Sequence, residues 1–473
     1  MVICYIWNYR DLFIFEQLQR LINLATNRND EYGYEGRARM LLKKYNIKPW
    51  TIVKLRLGTV IIEGVLLPAP VGTDDVLYLK LPNGYNVAFT VEKINEIVPI
   101  KTEKIHYKIP EREIKTLADK PNVAIIGAGG TIASRVEYST GAIKPAFSIF
   151  ELANAIPEIF EIANIESIEL FNILSEDMRP EYWISMAKKS VEKINAGVDG
   201  IVITHGTDTM QFSASALAFM IEKLSVPIVF TGAQRSSDRP ASDAAVNVIS
   251  AVLFASRGEI AESTVCMHAT IDDLSAFIHR GVRVRKMHSS RRDAFRTIGD
   301  KPLAMIKDRN INYIKSQNAY LRRGKYDKSE TYAKAVFEKK TALIYVYPYM
   351  NGDIIETLID KGYKGIVLAG TGLGHVPDVL LPVLTRAIEE GIIVTMTTQC
   401  IWGPVRMDVY ERGRVLKHLG VIPADGILPE TAFVKLGWLL GQNLDNKQIA
   451  FLLQSNLRFE KVERESIDCF FNN

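Results

Sequence analysis

The stretch Val123-Ala124-Ile125-Ile126-Gly127-Ala128-Gly129-Gly130-Thr131 decides the fold. Four apolar residues in a row read as a buried strand, and the glycines after them end it in a turn where the backbone can come close to another group. Similar short β-rich runs stand at residues 200–204, 227–231 and 263–267, with helical patterns over 209–222 and 242–255 between them. Such alternation predicts an α/β domain built on a mostly parallel sheet, spanning residues 121–320. A basic, polar stretch follows, read as a linker over 321–340. Strand runs at 341–347, 365–369 and 392–395 then resume the pattern in a second, smaller α/β domain over 341–473.

Upstream of Val123 the pattern differs. Residues 11–25 place Leu12, Phe15, Leu18, Leu21, Ile22 and Ala25 at helical spacing, within an N-terminal extension over 1–33. A short helix over 35–45 stops before Pro49. After it Val53, Leu55 and Leu57, then Leu77, Leu79 and Leu81, then Val87, Phe89 and Val91 alternate with a period of two. Asn83-Gly84 between the last two runs is a hairpin signal. Residues 34–100 thus read as a helix plus a small β-barrel-like module, and the charged, proline-bearing stretch 101–120 as a linker.

Composition sets limits on function. The chain has 473 residues, 47% of them hydrophobic and 24% charged, which fits globular protein and excludes general disorder. A net charge of +4 is too weak, over this length, to argue for nucleic acid. Cys4, Cys266, Cys400 and Cys469 are scattered, so neither a disulfide framework nor a cysteine-rich zinc site is expected, and the usage suits a reducing cytoplasm. The apolar run 392–405 is broken by Gln399, Gly403 and Pro404, well short of the roughly 18 residues of a membrane span. No export signal is read, and a soluble protein is expected.

Two strand ends carry the candidate chemistry. At Gly127-Ala128-Gly129-Gly130-Thr131 the glycines by themselves read first as a tight strand-to-loop turn and second as a ligand site. The spacing is not that of a dinucleotide-binding loop. Thr204-His205-Gly206-Thr207-Asp208-Thr209-Met210 also follows a buried strand, and Thr207 or Asp208 is placed to cap the next helix. If the two ends meet at one crevice, two threonine hydroxyls and a carboxylate reach one ligand. A threonine hydroxyl needs a base or polarising group, and Lys286 is the candidate. Lys286 stands in a basic segment with Arg280, Arg283, Arg285, Arg291, Arg292 and Arg296 against Asp293, which reads first as a solvated face and second as an anion or tRNA contact. His268, His279, His288 and His375 fit no metal template, so no metal is expected.

Taken together, Gly129-Gly130-Thr131-Ile132-Ala133 and Thr204-His205-Gly206-Thr207-Asp208-Thr209 resemble the two signature motifs of the type I/II L-asparaginase amidohydrolases. Leu174-Ser175-Glu176-Asp177-Met178, Thr231-Gly232-Ala233-Gln234-Arg235, Gly370-Thr371-Gly372-Leu373-Gly374-His375-Val376-Pro377 and Thr398-Gln399-Cys400 extend the resemblance over about residues 120–442. It implies a two-domain body with Thr131 as nucleophile and Thr207, Asp208 and Lys286 as a second catalytic group. Ser175 and Asp208, with Gly130 and Gly206, would hold the substrate. Ala128 departs from the pattern, which often has a threonine there. The polar, glycine-bearing loop 134–144 has the composition of a lid, with Tyr138 as its candidate residue.

Free asparaginases lack a β module ahead of the body. With it, residues 34–442 resemble the layout of the D-subunit family of archaeal glutamyl-tRNA(Gln) amidotransferases. That resemblance implies a glutaminase whose ammonia passes to the E subunit of the amidotransferase. The latter would use ATP and Mg to activate the glutamate on Glu-tRNA(Gln), and the chain would pair as a homodimer within a heterotetramer. No cofactor is expected on this chain, which has no P-loop. The alternatives are a free L-asparaginase with an accessory N-terminal domain, or a binding module that kept the fold alone.

Overall fold

Leucine and valine at alternate positions build the first sheet, because a strand sends successive side chains to opposite faces. Its strands are β1 (Thr51–Leu57), β2 (Val60–Leu66), β3 (Val76–Lys80), β4 (Asn86–Thr90) and β5 (Glu96–Thr102). They pair antiparallel in the order β4-β3-β2-β1-β5. Val53, Leu55, Leu77 and Leu79 are fully buried with Ala38 and Leu42 from the helix Gly36–Lys44. Tyr34 ties this core to the backbone, donating to the Leu67 carbonyl at 2.7 Å and accepting from the Tyr78 amide at 3.1 Å. Among the described residues the five strands form one sheet, with β4 and β5 at the ends of its order. The pattern missed β2, since Val60 and Ile61 sit exposed and blur the alternation.

The computed structural model describes residues 33–69, 73–81, 86–102, 117–130, 134–137, 142–145, 156–235, 242–315, 319–462, 465 and 469. The expected helix over 11–25 lies outside them, as do Asn83-Gly84, although β3 and β4 pair on either side with Lys80 opposite Asn86. The chain divides into two compact units, one of residues 1–108 and 136–143, the other of residues 109–135 and 144–473.

In the second unit, β6 (Asn122–Gly127) alternates between two cores. Ala124 and Ile126 join the helices on one face of the sheet, Val123 and Ile125 those on the other. A strand buried on both sides must be apolar throughout, which is why Val123–Ile126 is readable. Two short paired strands, β7 (Ser134–Glu137) and β8 (Ala142–Pro145), stand where a loop was expected, and residues 136–143 between and within them count with the first unit. The main sheet continues with β9 (Asn164–Glu169), β10 (Gly200–Thr204), β12 (Ile228–Thr231), β13 (Ser263–His268), β14 (Ser275–Arg280), β17 (Ala304–Lys307) and β18 (Asn310–Tyr313), after a short β11 (Ile221–Glu222) that stands apart. Its order is β18-β17-β14-β13-β12-β10-β6-β9. The run from β9 to β13 is parallel, and β14, β17 and β18 are antiparallel. A separate ribbon pairs β15 (Val284–Lys286) with β16 (Phe295–Thr297).

The stretch expected as a linker over 321–340 is anchored rather than loose. Its β19 (Tyr332–Ala333) pairs with β11, and Arg323 donates to the carbonyls of Ser256 and Asp199 at 2.8 and 2.7 Å. The smaller domain holds a parallel sheet in the order β20 (Thr341–Tyr345), β21 (Gly365–Gly370), β22 (Ile393–Thr398), β23 (Ile422–Pro423). Its helix Pro429–Leu440 shares the core of the larger domain through Val434, Leu436 and Leu439. Among the described residues no helix is long and apolar enough to cross a membrane.

Candidate active site

Three neighbouring parallel strands end at one level, with Thr204 of β10 opposite both Gly127 of β6 and Thr231 of β12. Carboxyl ends of parallel strands are where open α/β sheets bind ligands. Two backbone bonds lock the loops as they leave: Ala128 donates to Thr204 and His205 to Thr231, both at 2.9 Å. Gly130 has φ +91° and a Cβ there would stand 2.3 Å from the Gly206 nitrogen. A Cβ on Gly206 would in turn stand 2.6 Å from that of Ser175. The glycines are thus required by contact, and they bring Gly130, Gly206 and the buried Ser175 together. Thr131 and Tyr138 lie outside the described residues.

The lysine sits on the other loop's hydroxyl. Lys286 Nζ donates to Thr207 Oγ1 at 2.8 Å and to Asp208 Oδ1 at 2.7 Å. Thr207 is buried and the Lys286 side chain is 9% exposed, whereas the Asp208 side chain is 66% exposed and open to a ligand. Thr207 and Asp208 do not cap the next helix. That helix, Met210–Met220, has Thr209 at its cap position without a side-chain capping bond, because the Thr209 hydroxyl donates to the Ser175 carbonyl at 2.7 Å. The capping oxygens are spent on the site.

Sequence reasoning missed the supports. Burial pushes the His205 imidazole down to about 4, so it is neutral. The Trp183 indole donates to Ser213 Oγ at 2.9 Å, which leaves the serine hydrogen for His205 Nε2 at 2.8 Å. The proton of His205 is therefore on Nδ1, bonded to the Gly206 carbonyl at 2.7 Å. In the loop after β12, the buried Asp243 accepts from the amides of Gln234 and Arg235 at 3.0 Å, and Asn247 donates to the Gly232 carbonyl at 2.9 Å. His205 stands in a motif, whereas Trp183, Ser213, Asp243 and Asn247 lie outside them, on or at the start of helices, where only the fold reveals their role.

The basic segment is not a solvated face. Arg280 and Arg283 are 2% and 1% exposed. Arg280 pairs with Glu262 at 2.7 Å. Arg283 donates to the carbonyls of Gly426, Glu460 and Ile298, and burial pushes its guanidinium down to about 10, still charged at neutral pH. Arg291 and Arg296 hold the Asp293 carboxyl down at about 2, Arg291 contributing most. His279 is buried with Nδ1 2.8 Å from Thr297 Oγ1 and is also neutral, pushed by burial down to about 3. In the smaller domain, Thr398 donates to the Gly372 carbonyl at 2.6 Å and Gln399 to that of Ala369 at 2.8 Å, closing the motifs there on themselves. Among the described residues no group of three or more His, Cys, Asp or Glu is placed to hold a metal ion.

Three family descriptions match consecutive parts of the chain: "GatD N-terminal domain" over 47–100, "Asparaginase, N-terminal" over 122–319, and "Glutaminase/Asparaginase C-terminal domain" over 340–453. The D subunit of the glutamyl-tRNA(Gln) amidotransferase of Pyrococcus furiosus is 47% identical over 400 residues, covering 83% of this chain and 89% of that protein. The chain belongs to this D-subunit family. The D subunit of Methanothermobacter thermautotrophicus is 45% identical over 439 residues, 93% of this chain and 99% of that one. Among solved structures, the thermostable L-asparaginase from Thermococcus kodakarensis is 30% identical with a TM-score of 0.63, and matches 72% of this chain with 99% of its own. The D-subunit family is thus asparaginase-like in its body and carries a further N-terminal domain, as this chain does.

Proposed function

We propose that this chain is the glutamine-hydrolysing subunit of a glutamyl-tRNA(Gln) amidotransferase. The observation that carries the reading is the Lys286–Thr207–Asp208 cluster beside the Gly130–Gly206–Ser175 contact, in a chain that also carries the N-terminal domain of its family. The Thr131 hydroxyl attacks the side-chain amide carbon of glutamine, forming an acyl-enzyme and releasing ammonia. Backbone N–H groups near the glycines stabilise the oxyanion. Water steered by Thr207 and Lys286 then releases glutamate, while Asp208 and Ser175 hold the substrate's α-amino and α-carboxylate groups. The ammonia passes to the E subunit, which holds ATP and Mg and amidates Glu-tRNA(Gln); two copies of each subunit make a heterotetramer.

The test is purification from the native cell followed by glutamine hydrolysis with and without the co-purifying subunit and tRNA. Activity should be feeble in the isolated chain and strongly stimulated in the assembly. Thr131→Ala should lose several orders of magnitude in kcat while remaining folded, as expected for a nucleophile. A rate within about tenfold of wild type would show that another group attacks. The free L-asparaginase reading draws on the solved neighbour, and a fast, partner-independent asparaginase rate unchanged by truncation to residue 115 would favour it.

A further inference from the structure

The two faces of the strand that carries Lys286 do different work. Successive side chains on β15 alternate, so Lys286 and Val284 share one side while Arg285 faces the other. Lys286 reaches forward to Thr207 and Asp208. Arg285 reaches the opposite way, its Nε 3.0 Å from Glu430 Oε1 and its NH2 group donating to the Tyr345 hydroxyl at 2.9 Å. Glu430 stands in the first turn of the helix Pro429–Leu440. The next residue, Thr431, donates to the Val282 carbonyl at 3.0 Å, and Arg283 donates to Gly426 and Glu460. The smaller domain therefore grips the approach to Lys286 from Val282 to Arg285.

The strand is three residues long and, among the described residues, its backbone pairs with β16 alone. Val284 and Phe295 seat the ribbon in the larger domain's core, and Arg285 ties it to the smaller one. A lysine Nζ at the end of a flexible stem keeps two bonds of 2.7 and 2.8 Å only when its backbone is fixed. The Arg285–Glu430 pair is mostly out of water, at 20% and 9% side-chain exposure, where removing one partner strands the other.

We infer that Arg285 and Glu430 form a positioning pair, which fixes the strand so that Lys286 meets Thr207 and Asp208 while neither member touches the substrate. The inference rests on the reading of Lys286 as part of the catalytic group. It also makes the smaller domain a determinant of the rate, since Glu430 and Tyr345 both belong to it.

The experiment compares Glu430→Gln, Arg285→Met, Arg285→Lys and the Glu430→Gln/Arg285→Met double variant with wild type and Lys286→Met, all as full chains in their native complex. The readouts are kcat and KM for glutamine and the urea midpoint. Misplacing a group by about 1 Å costs on the order of a hundredfold, so each single variant should lose roughly ten- to a hundredfold in kcat with KM within about twofold. The double variant should be no slower than the slower single one, and Arg285→Lys should recover part of the loss. A folded Glu430→Gln with kcat near wild type, a change in KM alone, or losses that multiply would each overturn the pair. Should Arg285→Met not fold, the near-isosteric Glu430→Gln decides alone. Should Lys286→Met itself keep the wild-type rate, the reading of the site fails rather than the pair.

Discussion

The loop after β10 and the ribbon of β15 and β16 each present part of one cluster, and they are held by different means. The loop is held by close backbone packing: Gly130 against Gly206, Gly206 against Ser175, and a neutral buried histidine on the Gly206 carbonyl. The ribbon, seated by Val284 and Phe295, is tied to the smaller domain by charge, with Arg285 reaching a carboxylate and Arg283, just ahead of it, reaching carbonyls. Close packing has no slack and no ions, so it responds to volume and to protonation of its histidine. Charged anchors respond to the loss of a partner, and by an amount that depends on burial.

Acid should separate the two most strongly. His205 is held at about 4 against an ordinary 6.5, so between these values the unfolded chain binds the proton and the folded one does not. Its contribution is fully present above pH 6.5 and is lost as pH falls to about 4, amounting to about 3 kcal/mol. His279 acts in the same direction, continuing to about pH 3. Urea midpoints between pH 7 and pH 4 should therefore fall steeply in wild type and less steeply in His205→Gln. Equal slopes would mean that His205 protonates freely in the fold.

Gly206→Ala probes the packing directly. The added methyl meets Ser175 at 2.6 Å, and overpacking of this kind costs about 1–3 kcal/mol. Thermal unfolding should show that loss, and glutamine KM should rise because Ser175 is pushed from its place. An unchanged melting point and KM would show that the loop is slack. The smallest effect is expected at the outer edge of the ribbon. Arg291 is half exposed and Asp293 keeps Arg296, so Arg291→Ala should leave the melting point and kcat close to wild type. A loss comparable to Gly206→Ala would place Arg291 among the anchors.

The strand ends were legible because their constraints are local. Val123–Ile126 must be apolar to be buried on both faces, and a glycine that meets another backbone cannot be replaced, so both leave marks in adjacent residues. The same holds for the leucines of β1 and β3. The arginines were misread because a run of positive charge looks alike whether water or distant carboxylates solvate it. The partners of Arg280, Arg283 and Arg285 are Glu262, the Glu460 carbonyl and Glu430, and the last two lie far along the chain.

What the sequence determined by itself was the α/β alternation, the two strand-end motifs and the β module ahead of them, each written in neighbouring residues at a fixed period. Only the tertiary structure decided that Lys286 bonds Thr207 and Asp208, that His205 is neutral with its proton on Nδ1, and that the smaller domain grips the lysine's strand. Those facts depend on burial and on side chains meeting across many intervening residues, and no local pattern encodes which buried charge will find which partner.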